Sequence, residues 1–366
     1  MRADLLSQRA LNRAVLARQL LLERSSLGVV AAIEQVFGLN AQQPNDPYFA
    51  LASRLSRFER VDLTSAIENR RVVRSALMRA TQHLVAAVDY PWLRAVLQPL
   101  FSRAQRNAFG QRTSDTHLAD VVTDAQRLLA GQVRTRAELG RLLTEHRPGA
   151  DGNALAWSMQ YLLPLVHPAP SGTWDTVGPT SLALAEDHLG IPLGEPDPER
   201  MVRRYLAAFG PASTADMRAW SGVSGLVDVV AGMDGELRVF RDESERELFD
   251  LPHAPRPNSE TSAPVRLLAA FDNVLLGYAD RTRLMTDQVR RRVCVGDAVA
   301  ATLLIDGAVS GTWQLDRAAG VVTIRPFVRM SQPDVEAAVA EGDRLLDLAA
   351  TSAERPEVRV LAPDQG

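Results

Sequence analysis

Lysine is missing from this sequence: all 41 basic side chains among its 366 residues are arginine. That absence removes lysine Schiff bases and lysine general bases from the chemistry open to the protein. Cysteine is nearly missing too. The single Cys294 cannot close an intrachain disulfide, a four-cysteine iron–sulfur cluster or a cysteine-based zinc site, and its apolar strand-like setting predicts a core thiol. No uncharged apolar run approaches the roughly 20 residues that span a bilayer. MRADLLSQRALNR is too polar for a signal peptide, so a cytoplasmic protein with no membrane contact is expected. A Gly-rich phosphate loop, HExxH and GxSxG are also absent, which leaves kinase, Rossmann and hydrolase readings without their required parts. No metal, cofactor or obligate protein partner is expected.

What is present is ordinary in amount and uneven in placement. Hydrophobic residues make up 46% and charged residues 23%, values of a folded chain with room for two or three small domains or one large one. The net charge is −3, yet residues 1–113 hold 16 Arg against 8 Asp and Glu, a local +8. An electropositive third on an acidic body can steer a polyanion to one face.

The pattern along the chain repeats. Leucine and alanine at helical spacing mark 6–23, and SLGVVAAIEQVF (26–37) reads as a second helix opened by serine. Two more helices are expected at 48–57 and 62–69, then a hairpin over 72–87. A similar rhythm returns at 115–166, with Thr135 and Glu138 at capping-box spacing, followed by an extended Gly/Pro/Trp-rich stretch at 167–184. It returns again from 198, where GPASTADMRAWSG carries Ser213 and Asp216 at the same spacing and Gly222 as a stop. Beyond 236 the chain turns to strands, including the whole of VRLLAAFDNVLLGYADRTRL, with an Asp306-Gly307 turn, a helix at 333–351 and a strand at 357–361. Helix, turn, capped helix, helix, strands is the order of a winged helix-turn-helix. The expected fold is α+β: three tandem winged helices at 1–113, 114–195 and 196–252, and a C-terminal β-rich region over 253–366.

GLNAQ (38–42), LMRATQHLV (77–85), RRYLAAFGPASTADMRAWSG (203–222), FDNVLLGYADR (271–281) and DGAVSGTW (306–313) together resemble the AlkZ/YcaQ-type winged-helix DNA glycosylases. The resemblance runs from about Leu6 to Phe327. It implies a concave, DNA-cradling arrangement and hydrolysis of the N-glycosidic bond of alkylated bases, bulky antibiotic adducts and interstrand crosslinks included. The family's catalytic motif is glutamine, an aliphatic residue and glutamine, with an acidic third position in one branch. Here those positions are Asn40, Ala41 and Gln42, so the first departs from the pattern. Asparagine keeps the amide and is one methylene shorter, roughly 1.5 Å of reach.

A neutral amide is no base near neutral pH, but its oxygen accepts from water and its NH₂ donates. Asn40 and Gln42 could therefore hold a water against a sugar whose alkylated N7 or N3 purine is already a good leaving group. Asp46 is either an accessory carboxylate or a cap for the Pro44–Pro47 loop. Arg71, Arg74 and Arg79, with Thr81 and His83, lie on the expected wing; they contact DNA phosphates or form a solvated strand face, and His83 suits a structural hydrogen bond. Arg281 faces DNA or pairs with Asp280. Trp174, Trp220 and Trp313 read as core aromatics. The leading expectation is a monofunctional glycosylase acting on double-stranded DNA with alkylated bases. Asn40 keeps open a non-catalytic winged-helix DNA binder, a regulator or an adduct-shielding factor, and a protein-interaction module is a third class.

Overall fold

One succession of elements occurs three times in the computed structural model, which describes residues 4–350 and 353–363. A helix leads to a short strand or bridge, then two helices, then two strands. The first repeat is helix Val29–Gln35, strand Leu39–Asn40, helices Asp46–Ala52 and Arg60–Glu68, and strands Val72–Ala76 and Gln82–Ala86. The second is helix Leu118–Leu129, strand Arg134–Thr135, helices Arg136–Thr144 and Gly152–Leu162, and strands Leu165–Val166 and Ser181–Leu184. The third is helix Pro198–Phe209, a bridge from Ala212 to Phe249, helices Thr214–Ser221 and Leu226–Gly232, and strands Arg238–Asp242 and Glu247–Asp250. In the first two repeats the short strand joins the later pair in a three-stranded sheet.

Local chemistry accounts for many of these boundaries. Thr135 accepts from the Glu138 amide at 3.2 Å while Glu138 accepts from the Thr135 amide at 2.7 Å, a reciprocal capping box. Ser213 and Asp216 form another, and Gly222 ends that helix in the left-handed region at φ +81°. The helix at Val29 is preceded by Gly28, with no side-chain cap, so the expected serine start is not used.

The N-terminal segment departs from the grouping expected for 1–113. Strand Asp4–Leu6 pairs in parallel with Arg238–Asp242 of the third repeat. The following helix, Gln8–Arg18, anchors there through Arg18, whose guanidinium donates to both carboxylate oxygens of Asp250 at 2.7 and 2.8 Å, both side chains fully buried. Helix Tyr90–Phe109 runs from the first repeat onto Gly152–Leu162 of the second.

Past residue 265 a five-stranded sheet forms in the order Arg266–Leu268, Thr302–Ile305, Ala308–Asp316, Val321–Pro326, Glu357–Val360. Only the last pair is parallel, joined across helix Gln332–Ala349, as a parallel connection requires. Asp306 and Gly307 take φ of +45° and +80°, the expected hairpin turn, and Gly307 packs against Asn12 where no Cβ would fit. FDNVLL is not strand: Asp272 caps a short helix, Asn273–Leu276, by accepting from Val274 N at 3.2 Å. The sheet leans on the first repeat through Arg54–Asp272, a fully buried pair at 2.7 Å, and through Phe49 set edge-on to Trp313. The architecture is α+β.

Candidate active site

Strand Leu39–Asn40 ends the turn after the first helix, held by Asn40 opposite His83. From there Ala41–Asn45 loops out before helix Asp46–Ala52 begins. Ala41 is fully buried and its amide donates to the Gln82 carbonyl at 2.8 Å. The two carboxamides flank it and hold each other. Asn40 Nδ2 donates to Gln42 Oε1 at 3.1 Å, and the Gln42 amide donates to Asn40 Oδ1 at 3.2 Å. Asn40 is 6% exposed and Gln42 is exposed, so the pair presents one amide to solvent and keeps the other behind it. Among the described residues the Gln42 Nε2 donors carry no protein partner.

Asp46 follows Gln42 by four residues, in the first turn of the next helix. Its carboxyl makes no hydrogen bond or ion pair among the described residues, and its Oδ2 is buried. Burial pushes this carboxyl up to about 7. The expected capping role falls instead to no side chain, because neighbouring Asn45 turns to Asp175. Among the described residues Gln82 Oε1, across from Ala41, is also buried without a partner; the sequence marks its neighbours Thr81 and His83 and gives no sign of it.

The arginines of the expected wing divide. Arg71 is exposed and pairs with no carboxylate among the described residues. Arg74 is not on a solvated face: it is 9% exposed, with Nε donating to the Ala41 carbonyl and Nη1 to Ser171 Oγ, each at 3.0 Å. Burial and the charge of Arg136 bring it down to about 10. Arg79 sits in the hairpin turn at φ +55°, donating to the Trp220 carbonyl and reaching His83 Nε2 at 3.4 Å. Burial, then the charge of Arg281, lowers it to about 10.

His83 is buried, its Nδ1 against the Thr81 carbonyl at 2.9 Å, and burial with Arg79 drives it down to about 3. A neutral, enclosed imidazole fits the structural role. Thr81 Oγ1 donates to the Met78 carbonyl at 3.2 Å. Arg281 does not pair with Asp280, which joins Arg246; its Nη1 meets Cys294 Sγ at 3.3 Å, and that thiol is half-buried rather than in the core. Trp220 and Trp313 are buried, whereas Trp174 is half-buried in a loop.

Residues 33–348, most of the chain and the whole of this site, match the family described as DNA glycosylase AlkZ-like. The chain belongs to the AlkZ-like DNA glycosylase family. The fold agrees: it superposes on the Streptomyces sahachiroi DNA glycosylase AlkZ with a TM-score of 0.78 at 20% identity, over 97% of this chain and 100% of that one. Among curated protein sequences none matches significantly. Membership in the AlkZ-like family makes DNA the substrate and glycosylase chemistry on damaged bases the reaction class. No described helix is long and apolar enough to cross a membrane. Among the described residues no group of His, Cys, Asp and Glu is arranged to hold a metal ion.

Proposed function

We propose that this AlkZ-like protein is a monofunctional glycosylase for N7- and N3-alkylated purines, bulky antibiotic adducts and crosslinked bases among them. The observation that carries the reading is the hydrogen-bonded Asn40–Gln42 pair, with Gln42 exposed in the loop and Asp46, four residues on, unpartnered among the described residues. Asn40 orients Gln42, whose amide oxygen keeps a lone pair for an incoming water. The alkylated base leaves neutral with the electron pair of the glycosidic bond. The sugar cation takes the water oxygen, and the water's proton passes to ionised Asp46 or to solvent. With no lysine for a Schiff base, the reaction stops at the abasic site.

The three repeats serve as winged helices that cradle the duplex, with Arg71 and Arg281 at its phosphates. Arg74, Arg79, Thr81 and His83 support the site from within. Purified protein incubated with duplex DNA carrying a defined N7-alkylguanine, then treated with alkali, should yield strand breaks at the lesion. No break, beside an active control glycosylase, overturns the proposal.

The burial of Asn40 favours a second reading, a DNA binder that has lost the reaction and acts as a regulator or adduct shield. Asn40→Gln separates the two. Faster excision marks an intact site with a shortened side chain; tight binding without excision in parent and variant marks the binder.

A further inference from the structure

The loop between the strands of the second repeat reaches across to the Asn40–Gln42 loop and grips it at both ends. At one end Arg74 is the intermediary. Its Nε donates to the Ala41 carbonyl at 3.0 Å, while its own backbone carbonyl accepts from His167 N at 2.8 Å and its Nη1 donates to Ser171 Oγ at 3.0 Å. Gly172, at φ +88°, lies flat on the Arg74 side chain: a Cβ there would stand 2.7 Å from Arg74 Cδ. At the other end Asn45 and Asp175 share two hydrogen bonds, Asn45 Nδ2 to Asp175 Oδ1 at 2.8 Å and Asp175 N to Asn45 Oδ1 at 2.9 Å. Trp174 N donates to Tyr48 OH at 3.0 Å, and the Trp174 ring stands edge-on to Tyr48. Between the two grips Gln42 and Gln43 remain exposed.

Among the described residues Arg74 carries no carboxylate partner, a condition it shares with buried Arg94 and Arg283, whereas the charges of buried Arg18 and Arg54 are matched by Asp250 and Asp272. A buried unpaired guanidinium costs stability. Retaining one here, with its donors spent on a carbonyl of the loop and a hydroxyl of the neighbouring repeat, points to a geometric task.

We propose that residues 167–176 of the second repeat are a strap that fixes the Asn40–Gln42 loop of the first, with Arg74 as the positioning residue between them. This rests on the reading of Asn40 and Gln42 as the water-holding pair. The strap holds Ala41 from one side while the Gln82 carbonyl holds its amide from the other, so the two carboxamides that flank Ala41 keep one spacing. A displacement near 1 Å at such a pair is worth on the order of 10²-fold in rate.

The test uses the full chain with Arg74→Met, Asn45→Asp and the double change Asn45→Asp with Asp175→Asn. Asn45→Asp sets two carboxylates face to face; adding Asp175→Asn restores the Asn–Asp pair with donor and acceptor exchanged while giving up the exposed Arg317–Asp175 ion pair, and asparagine tolerates the positive φ at 175. Single-turnover excision of an N7-methylguanine duplex, DNA affinity and amide hydrogen exchange of Ala41 and Gln42 are measured together. Arg74→Met is expected to slow excision about 10²-fold, with affinity unchanged and exchange at Ala41 and Gln42 faster. Asn45→Asp should slow excision and the double change should recover it. Parent-like excision in Arg74→Met and Asn45→Asp, affinity falling in step with rate, or unaltered exchange at Ala41 and Gln42 overturns the strap. A Gln42→Ala protein as active as the parent overturns the water-holding reading instead, and the exchange measurement still decides the strap.

Discussion

The junction between the short strand and the second helix differs in one repeat out of three. In the second repeat, strand residue Thr135 is itself the cap of helix Arg136–Thr144. In the third, bridging Ala212 is followed at once by the cap, Ser213. In the first, Asn40 ends the strand and the helix waits until Asp46, with Ala41–Asn45 between them. Two junctions are closed by capping boxes that satisfy their own amides. The junction of the first repeat opens instead into a loop whose polar side chains are held by other parts of the molecule or left to solvent. A junction whose hydrogen bonds are local serves the helix; one that exports them to a neighbouring repeat is arranged for something outside the helix.

The sharpest way to break this comparison is at the open junction. Gln42→Ala should lose excision by about 10²–10³-fold, the usual cost of removing one charge-stabilising group. An exposed glutamine holds little of the fold together, so stability should stay within about 0.5 kcal/mol. A Gln42→Ala protein that melted early would make the loop a structural device like the other two.

Asp46 gives an intermediate effect, read through pH. Its carboxyl ordinarily titrates at 3.8 and burial holds it near about 7. Between those values the folded protein keeps a proton that the unfolded chain has released, so this group's contribution to stability is full below 3.8 and is lost as pH rises through about 7. Excision should rise over the same upper range as the carboxylate forms. Asp46→Asn should flatten both trends and, at pH 8, lower the rate by about tenfold, less than the roughly 10²-fold or more of a dedicated general base, because solvent also takes the proton. Melting curves and single-turnover rates from pH 5 to 8 check this. A rate that still climbs through neutral pH in Asp46→Asn removes Asp46 from the reaction.

What could be read in the sequence was local. Both capping boxes, the Gly222 stop and the Asp306-Gly307 turn depend on residues within a few positions of one another, and all four stand where their spacing put them. The Asn40–Ala41–Gln42 stretch stood out through resemblance, since an amide pair beside an alanine has no periodicity to betray it. The failures are contacts between distant segments. Arg74 is expected to contact DNA phosphates or to lie on a solvated strand face, and does neither here: Val72–Ala76 is buried along its full length because the second repeat covers what would have been the outer side. Strand Asp4–Leu6 finds its partner more than 230 residues away, at Arg238–Asp242, and no local pattern announces that pairing. Of the two alternatives for Arg281, DNA contact or an ion pair with adjacent Asp280, the second fails, because Asp280 is drawn to Arg246 of the third repeat.

The smallest expected effect tests the closed side. Thr135 and Asn40 occupy the same place, each the second residue of a two-residue strand paired in a three-stranded sheet. Thr135→Ala removes the hydroxyl that accepts from Glu138 N and should cost about 1 kcal/mol, the usual worth of such a cap. Its excision rate should equal the parent's. Asn40→Ala, the matching change in the first repeat, should show the reverse: little loss of stability, because its partners are an exposed side chain and one loop amide, and a marked loss of rate, because Gln42 is no longer held. Melting in denaturant and single-turnover excision on the two variants side by side give the comparison its cleanest form. If Thr135→Ala slowed excision as much as Asn40→Ala, the second junction would be coupled to the reaction through the strap that begins at His167, and the division between closed and open junctions would have to be drawn between repeats that touch DNA and repeats that do not.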